Sequence, residues 1–222
     1  MTGSRFSAVL FDCDGVLVDS ESITNSVLRE MLHEMGWAIS EEEGLRRFVG
    51  KAFLDEWKVI YDHTGVTIDK DWILGFRERR DVALRARLRP VPGAVEAVRA
   101  VSDAGMTIAC VSGADRRKID MQLGIAGLSE LFGDRVFSGM ETARSKPAPD
   151  VYLAATAALG VDPGACAVVE DSPPGVQAGV AAGATVFGYA PGGPAYQSPD
   201  LLRALGAFTT FSSMDELPGL VL

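Results

Sequence analysis

The sequence contains little cysteine and little histidine, with three and two residues respectively in a chain of 222. The cysteines are scattered, their number is odd, and their spacing is not that of a metal site. This pattern predicts reduced, mostly buried thiols and a cytoplasmic setting. Cys13 lies in the motif described below, but no histidine is evident nearby to activate it. We therefore interpret Cys13 as a packed neighbour rather than a nucleophile.

Basic residues are also in deficit, with 21 Lys and Arg against 30 Asp and Glu, and the formal net charge is −9. Because a nucleic-acid binder needs a basic face, we expect no nucleic-acid partner. No segment has the unbroken apolarity of a membrane span, and residues 1–6 lack the pattern of a signal peptide, so we expect no membrane association. A small anionic substrate is still compatible with this charge. We expect a monomer or a weak homo-oligomer.

The order of the apolar segments predicts an α/β fold. From Pro90 onward, short β-branched runs alternate with helical segments, and residues 8–11 form another run of the same kind. This alternation is typical of a doubly wound, Rossmann-like parallel sheet with helices on both faces. The intervening segments have helical periodicity without a strand pattern. The sequence therefore predicts an α/β core domain of residues 1–18 and 90–222, with a small α-helical cap domain of residues 19–89 inserted into it.

Two aspartates, Asp12 and Asp14, follow the first predicted strand directly and are followed by Gly15. In an extended chain, residues two apart point to the same side, so both carboxylates are expected on one side of the strand end. Gly15 then permits a sharp turn. Paired carboxylates are costly to bury unless they share a cation or a proton. The pattern predicts a site for a hard divalent cation such as Mg²⁺.

Three further polar clusters follow predicted strands or precede a helix: Ser112-Gly113, Lys146, and Glu170-Asp171. Each one alone could be cap or turn chemistry, because caps and turns use the same residue types. Ligands of open α/β sheets bind at the carboxyl ends of the strands, where we expect all four clusters to meet.

Together the clusters are suited to phosphoryl transfer. The acids at 12, 14, 170 and 171 would hold Mg²⁺, while Lys146 and Ser112-Gly113 would neutralise and cradle a phosphoryl group. One aspartate could attack phosphorus while the other protonates the leaving oxygen.

These clusters resemble the four motifs of the haloacid-dehalogenase-like hydrolases. Residues 12–20 resemble the first motif, Val111-Ser112 the second, residues 146–152 the third and residues 168–172 the fourth. The helical insert resembles the cap of the subfamily that contains β-phosphoglucomutase and phosphoglycolate phosphatase.

The resemblance implies a role for each site residue. Asp12 would be the nucleophile that forms an aspartyl-phosphate, and Asp14 the general acid and base. The implied catalytic set also contains Ser112 and Lys146. The phosphate-binding candidates are Asp12, Cys13, Asp14, Ser112, Gly113 and Lys146. The metal candidates are Asp12, Asp14 through its backbone carbonyl, Glu170 and Asp171, directly or through water.

The resemblance also favours a phosphatase within the family. Haloacid dehalogenases lack the second aspartate, whereas this chain has Asp14. β-Phosphoglucomutases carry a histidine in the hinge after the first motif, where this chain reads Ser22-Ile23-Thr24-Asn25. We therefore predict a Mg²⁺-dependent phosphatase for a small phosphorylated metabolite such as a sugar phosphate or sugar-acid phosphate. A phosphosugar mutase and a non-enzymatic metal-binding regulatory or scaffold protein are the alternatives.

Two basic residues are candidates for substrate specificity. Lys51 lies where related caps place a substrate-contacting loop, although an ordinary solvated lysine would look the same in the sequence. Arg116, with Arg117 and Lys118, follows Ser112 closely and could contact a second anionic group.

Overall fold

The computed structural model describes residues 5–48 and 56–222 and contains a parallel sheet of six strands. The strands are β1 (Ala8–Phe11), β2 (Thr107–Ser112), β3 (Val136–Ser138), β4 (Cys166–Glu170), β5 (Thr185–Tyr189) and β6 (Thr209–Phe211). Their order across the sheet is β3-β2-β1-β4-β5-β6, and every neighbouring pair is parallel. The predicted fold class is confirmed.

The α-helices of the described ranges belong partly to the sheet domain and partly to the segment between β1 and β2. They are α1 (Glu21–Glu34), α2 (Glu41–Phe48), α3 (Trp57–Thr64), α4 (Lys70–Arg87), α5 (Ala94–Asp103), α6 (Arg116–Ala126), α7 (Ser129–Phe132), α8 (Asp150–Leu159), α9 (Pro173–Ala181), α10 (Pro199–Ala204) and α11 (Leu217–Val221). None of the helices within the described ranges combines the length and apolarity needed to cross a bilayer.

The strand order places a topological switch point between β1 and β4. The chain runs outward from β1 to β2 and β3, and then returns to the opposite side of β1 with β4. Asp12 extends this pairing beyond β1, because its backbone N–H donates to the carbonyl of Val169 at 3.0 Å. Crevices at such points are where open α/β sheets bind ligands. The carboxyl ends of β1 and β4 carry Asp12 and Glu170-Asp171, respectively.

The sheet is buried on both faces, as expected for parallel strands covered by helices. All residues of β1 and β4 are buried. On one face, apolar side chains of the sheet pack with residues of α8 and α9 into a continuous core. Elsewhere in the sheet domain, Phe11 of β1 makes an edge-to-face contact with Phe132 of α7, their ring centroids 6.1 Å apart. Burial of these strands fixes the positions of the polar residues that follow them.

The described residues form two compact units. The first consists of the residues up to Asp19 together with Arg89–Leu222, and the second is Ser20–Leu88. The second unit contains α1 to α4 and has an apolar core of its own. Its buried members are Val27, Leu28, Met31, Leu32, Trp37, Ile39, Phe48, Ile60 and Phe76. Helix α4 begins at an Asp69 N-cap, whose carboxylate accepts from the Trp72 N–H.

Candidate active site

Lys146 joins the first and fourth motifs through two buried ion pairs. Its Nζ lies 2.7 Å from Asp12 Oδ1 and 2.6 Å from Glu170 Oε1, and it also donates to the Val111 carbonyl at 2.9 Å. Although burial lowers the pKa of Lys146, the carboxylates of Asp12 and Glu170 hold it well above its ordinary value. The lysine is therefore a permanent cation between two acids.

Glu170 is completely buried, and four hydrogen bonds fix its carboxylate. Oε1 accepts from Lys146 Nζ and from the Tyr152 hydroxyl at 2.9 Å. Oε2 accepts from the Ser172 N–H at 3.2 Å and the Ser172 hydroxyl at 3.0 Å. A carboxylate offers about four acceptor positions. Since the protein already fills them, Glu170 holds Lys146 and the loop after β4 in place.

Asp171 lies against the backbone of Gly15. A Cβ added at Gly15 would lie 2.1 Å from Asp171 Oδ2, and the φ of Gly15 is +77°, a conformation that side chains other than glycine rarely adopt. The tight turn after Asp14 thus makes the space that the Asp171 carboxylate occupies. The two motifs predicted to share a site are in van der Waals contact here.

Asp12, Glu170 and Asp171 each offer a carboxylate oxygen, and these three atoms lie within 4.8 Å of one another. All three residues are buried. Burial raises the pKa of Asp12 to about 8, with Lys146 opposing this rise and the Glu170 and Asp14 carboxylates adding to it. Close, desolvated carboxylates of this kind gain from a cation, and hard oxygen donors suit Mg²⁺ or Ca²⁺. The donor set fits a divalent metal ion.

The Asp14 side chain contacts α6 rather than joining that cluster. Its Oδ1 accepts from Lys118 Nζ and from Gln122 Nε2, both at 2.7 Å. The sequence predicts for Lys118 only a possible contact with a second anionic group, and Gln122 is not among the predicted site residues. The anion that Lys118 contacts in the structure is the Asp14 carboxylate.

The predicted second motif lies beside Lys146. Ser112 is buried at the end of β2, and its hydroxyl accepts from the Ala114 N–H at 3.1 Å. The preceding carbonyl, that of Val111, accepts from Lys146 Nζ. Gly113 lies close to Ser145: a Cβ added at Gly113 would be 3.6 Å from the Ser145 hydroxyl oxygen. The loop after β2 is therefore next to the loop that carries Lys146.

Cys13 lies buried between the two aspartates, as a free thiol like the other two cysteines. A hydrogen bond with Cys110 and burial both raise its pKa well above the ordinary value. Its Sγ donates to Gln122 Oε1 at 3.4 Å. A thiol with a raised pKa is a poor nucleophile, in keeping with a packed neighbour.

The two specificity candidates have different outcomes. Arg116 is engaged by Glu141 through two hydrogen bonds, of 3.1 Å and 2.6 Å, and donates to the Val136 carbonyl. Contact between Arg116 and substrate stays a prediction. Lys51 lies outside the described residues.

Comparison with known proteins gives matches over nearly the whole chain. A family model described as haloacid dehalogenase-like hydrolase matches residues 6–183. The chain is 32% identical over 216 residues to the 6-phosphogluconate phosphatase of Escherichia coli K12, covering 96% of this chain and 95% of that protein. It is 30% identical over 185 residues to hexitol phosphatase B of the same strain, covering 82% of each. Some relatives from Arabidopsis thaliana are longer, and the chain spans 17% and 48% of two of them.

Solved structures agree with these matches. A hydrolase of this kind from Deinococcus radiodurans R1, with bound phosphate and sodium, is 34% identical and superposes with a TM-score of 0.82, covering 99% of both chains. The resemblance predicted from the four motifs is confirmed, and so is the prediction of a phosphatase.

Proposed function

The chain belongs to the haloacid dehalogenase-like hydrolase family, and on this premise we propose that it hydrolyses a small phosphorylated metabolite with Asp12 as nucleophile. The observation that carries the proposal is the position of Lys146, whose ammonium joins Asp12 to Glu170 beside Asp171. Phosphoryl transfer needs an acidic nucleophile, a fixed cation and carboxylates that can hold a metal ion, and this site offers Asp12, Lys146 and Asp171 for these roles.

In the proposed reaction, a carboxylate oxygen of Asp12 attacks phosphorus and the bond from phosphorus to the ester oxygen breaks. Asp14 gives a proton to that leaving oxygen, and the dephosphorylated alcohol departs. Water then attacks the phosphorus of the aspartyl-phosphate and transfers a proton to Asp14. Inorganic phosphate leaves, and Asp12 is regenerated. Lys146 and Ser112 neutralise and bind the phosphoryl oxygens.

The metal ion we propose is Mg²⁺, which prefers carboxylate oxygens. Asp12 and Asp171 would hold it through side-chain oxygens and Asp14 through its backbone carbonyl. The acceptor positions of Glu170 are filled by protein donors, so that Glu170 would contribute its negative charge beside the ion. When bound, such an ion supplies positive charge to the phosphoryl group and its entering and leaving oxygens.

For the substrate we propose a sugar phosphate or sugar-acid phosphate. Support comes from the relative that matches 96% of this chain, which is named 6-phosphogluconate phosphatase, and from the second relative, which is named hexitol phosphatase B. The substrates in both names are polyhydroxylated phosphate monoesters with an alkyl leaving group. Such a leaving group is a poor one, which makes a proton donor such as Asp14 valuable.

The experiment is phosphate release from a panel of sugar phosphates and sugar-acid phosphates, with Mg²⁺ and with EDTA. We expect Mg²⁺-dependent release, lost in Asp12→Asn and retained in Asp200→Asn, whose carboxylate is 96% exposed on the surface. Turnover by Asp12→Asn at the wild-type rate would refute the nucleophile assignment. Isomerisation of a hexose 1-phosphate without phosphate release would favour the mutase, and no turnover on any ester would favour the non-enzymatic alternative.

A further inference from the structure

Helix α6 brings two donors to one carboxylate oxygen of Asp14. Lys118 and Gln122 are four residues apart and therefore lie on the same face of the helix. Both are buried, and both donate to Asp14 Oδ1 at 2.7 Å. The start of the helix is fixed by the Asp115 N-cap, whose carboxylate accepts from the Lys118 N–H at 3.0 Å.

The orientation of the Gln122 amide is set by a third residue. The Cys13 thiol donates to Gln122 Oε1 at 3.4 Å, which directs Nε2 toward Asp14. Cys13 thus orients the amide of Gln122, which in turn donates to Asp14. Gln122 is completely buried, and an amide is desolvated at a cost unless both its ends are hydrogen bonded.

A lysine is rarely buried, and Lys118 is buried beside the residue proposed as general acid and base. An ordinary helix–sheet contact at this position would need only an apolar side chain. The charge and the amide act together on a single oxygen, which restricts rotation of the Asp14 carboxylate about its side-chain torsions. Catalytic groups lose rate steeply when their geometry loosens.

We propose that Lys118 and Gln122 are positioning residues: by donating to Oδ1 they hold the Asp14 carboxyl group in the orientation from which its other oxygen, Oδ2, gives its proton to the leaving oxygen. The inference rests on the proposed function, because it assumes that Asp14 is the proton donor. It extends that function to two residues outside the four motifs. Its consequence is specific: loss of either donor impairs the step in which the leaving group needs a proton.

The experiment compares two substrates with different leaving groups. The value of kcat/KM for 4-nitrophenyl phosphate depends little on proton donation, because nitrophenolate leaves readily unprotonated. The value for an alkyl phosphate such as glycerol 2-phosphate depends on it strongly. The kcat/KM ratio of the two substrates cancels effects on phosphate binding and on the fraction of folded enzyme. It is measured for the wild type, Asp14→Asn, Lys118→Met, Gln122→Met and the control Lys58→Met, which removes an exposed lysine.

We expect Asp14→Asn to lower kcat/KM for the alkyl ester by about 10²–10⁴-fold, the usual contribution of general acid catalysis. Lys118→Met and Gln122→Met are expected to lower it by about tenfold, with less than about a threefold loss on the nitrophenyl ester. Lys118→Arg, which keeps a cationic donor, is expected to recover part of the alkyl-ester activity. Lys58→Met should leave the ratio unchanged.

Equal losses on both esters in Lys118→Met and Gln122→Met would overturn the proposal, since a general structural role or a role in phosphate binding predicts that result. Unchanged activity on both esters would overturn it as well. An inactive wild-type enzyme would instead refute the proposed function. If Asp14→Asn shows no selective loss, the assignment of Asp14 fails while Asp12 and the phosphatase activity stand.

Discussion

Gly15 leaves no room for a side chain beside Asp171: a Cβ added to Gly15 would lie 2.1 Å from Oδ2 of the aspartate. The carboxylate and the turn that follows the first motif therefore occupy adjoining space, and each limits the position of the other. Because the two residues are 156 positions apart in the chain (171 − 15), this contact measures directly how closely the first and fourth motifs converge.

We predict that Gly15→Ala displaces Asp171 and abolishes most of the activity. A catalytic group moved by about 1 Å can lose about 10²-fold in rate, and the added methyl group demands a shift of that size. The positive φ of +77° also costs stability, about 1–2 kcal/mol for a residue with a Cβ. The measurements are kcat/KM for phosphate release and the free energy of unfolding in urea.

Gly105→Ala is a matched control for the backbone strain. Gly105 has a φ of +85°, and an added Cβ there would meet nothing within 4 Å. We expect a loss of stability similar to that caused by the strain in Gly15→Ala, with activity unchanged. If Gly15→Ala were as active as Gly105→Ala, the contact with Asp171 would have no importance for function.

We predict that Lys146→Met destabilises the protein as well as inactivating it. The substitution leaves the carboxylates of Asp12 and Glu170 buried without their shared cation. Breaking a buried ion pair by removing one partner costs about 3–5 kcal/mol. Urea unfolding above pH 8, where Asp12 is ionised, should show a loss of that order, whereas Lys58→Met, which removes a lysine that is 74% exposed, should change stability by less than about 1 kcal/mol. A Lys146→Met variant as stable as the wild type would contradict the buried pairing.

The fold class, and the position of acids at the carboxyl ends of β1 and β4, followed from local sequence patterns, for physical reasons that are visible in these two strands. Each strand is a short apolar run that ends abruptly in acids, and burial of the strand leaves those acids at its carboxyl end. The order of the strands was not predictable in the same way, because the pairing of β1 with β4 joins residues that are distant in the chain.

The role of α6 was missed for a different reason. No start was predicted for the helix after Ser112; in the structure it begins at Arg116 behind the Asp115 N-cap. A helix start at Asp115 would have placed Lys118 and Gln122 on one face, which is a signal the sequence does contain. That this face meets Asp14 depends on packing of α6 against the sheet, which no local pattern specifies.

We predict that Tyr152→Phe reduces activity by about tenfold while the protein stays folded. The Tyr152 hydroxyl donates to Glu170 Oε1 at 2.9 Å, and its ring lies 4.9 Å from Lys146 Nζ. Phenylalanine keeps the ring but removes the donor, and a hydrogen bond to a charged group contributes about 1.5–3 kcal/mol. Glu170 would then hold Lys146 less firmly. The measurement is kcat/KM with saturating Mg²⁺, with Tyr61→Phe as an exposed control. Equal activity of the two variants would exclude a role for this hydroxyl.

The raised pKa of Asp12 would couple the proposed metal binding to proton release. In the metal-free protein, burial raises this pKa to about 8 from the ordinary value of 3.8, with the Glu170 and Asp14 carboxylates contributing to the rise. The folded state therefore binds more protons than the unfolded chain between these two pH values. By linkage, the free energy of unfolding of the metal-free protein falls as pH rises through that window.

A metal ion held by Asp12, as proposed above, requires the ionised carboxylate, so that its binding would displace the proton of Asp12. We predict release of about one proton per Mg²⁺ at pH 7, and an affinity that rises with pH until about pH 8 and then levels off. Calorimetric titration with Mg²⁺ alone, in two buffers of different ionisation enthalpy, measures the number of protons released. The Asp12→Asn variant, which has no proton to lose at this position, should bind without release. If the wild type also bound Mg²⁺ without releasing a proton, Asp12 would already be ionised in the metal-free protein. Lys146 would then lower the pKa of Asp12 by more than burial and the neighbouring carboxylates raise it.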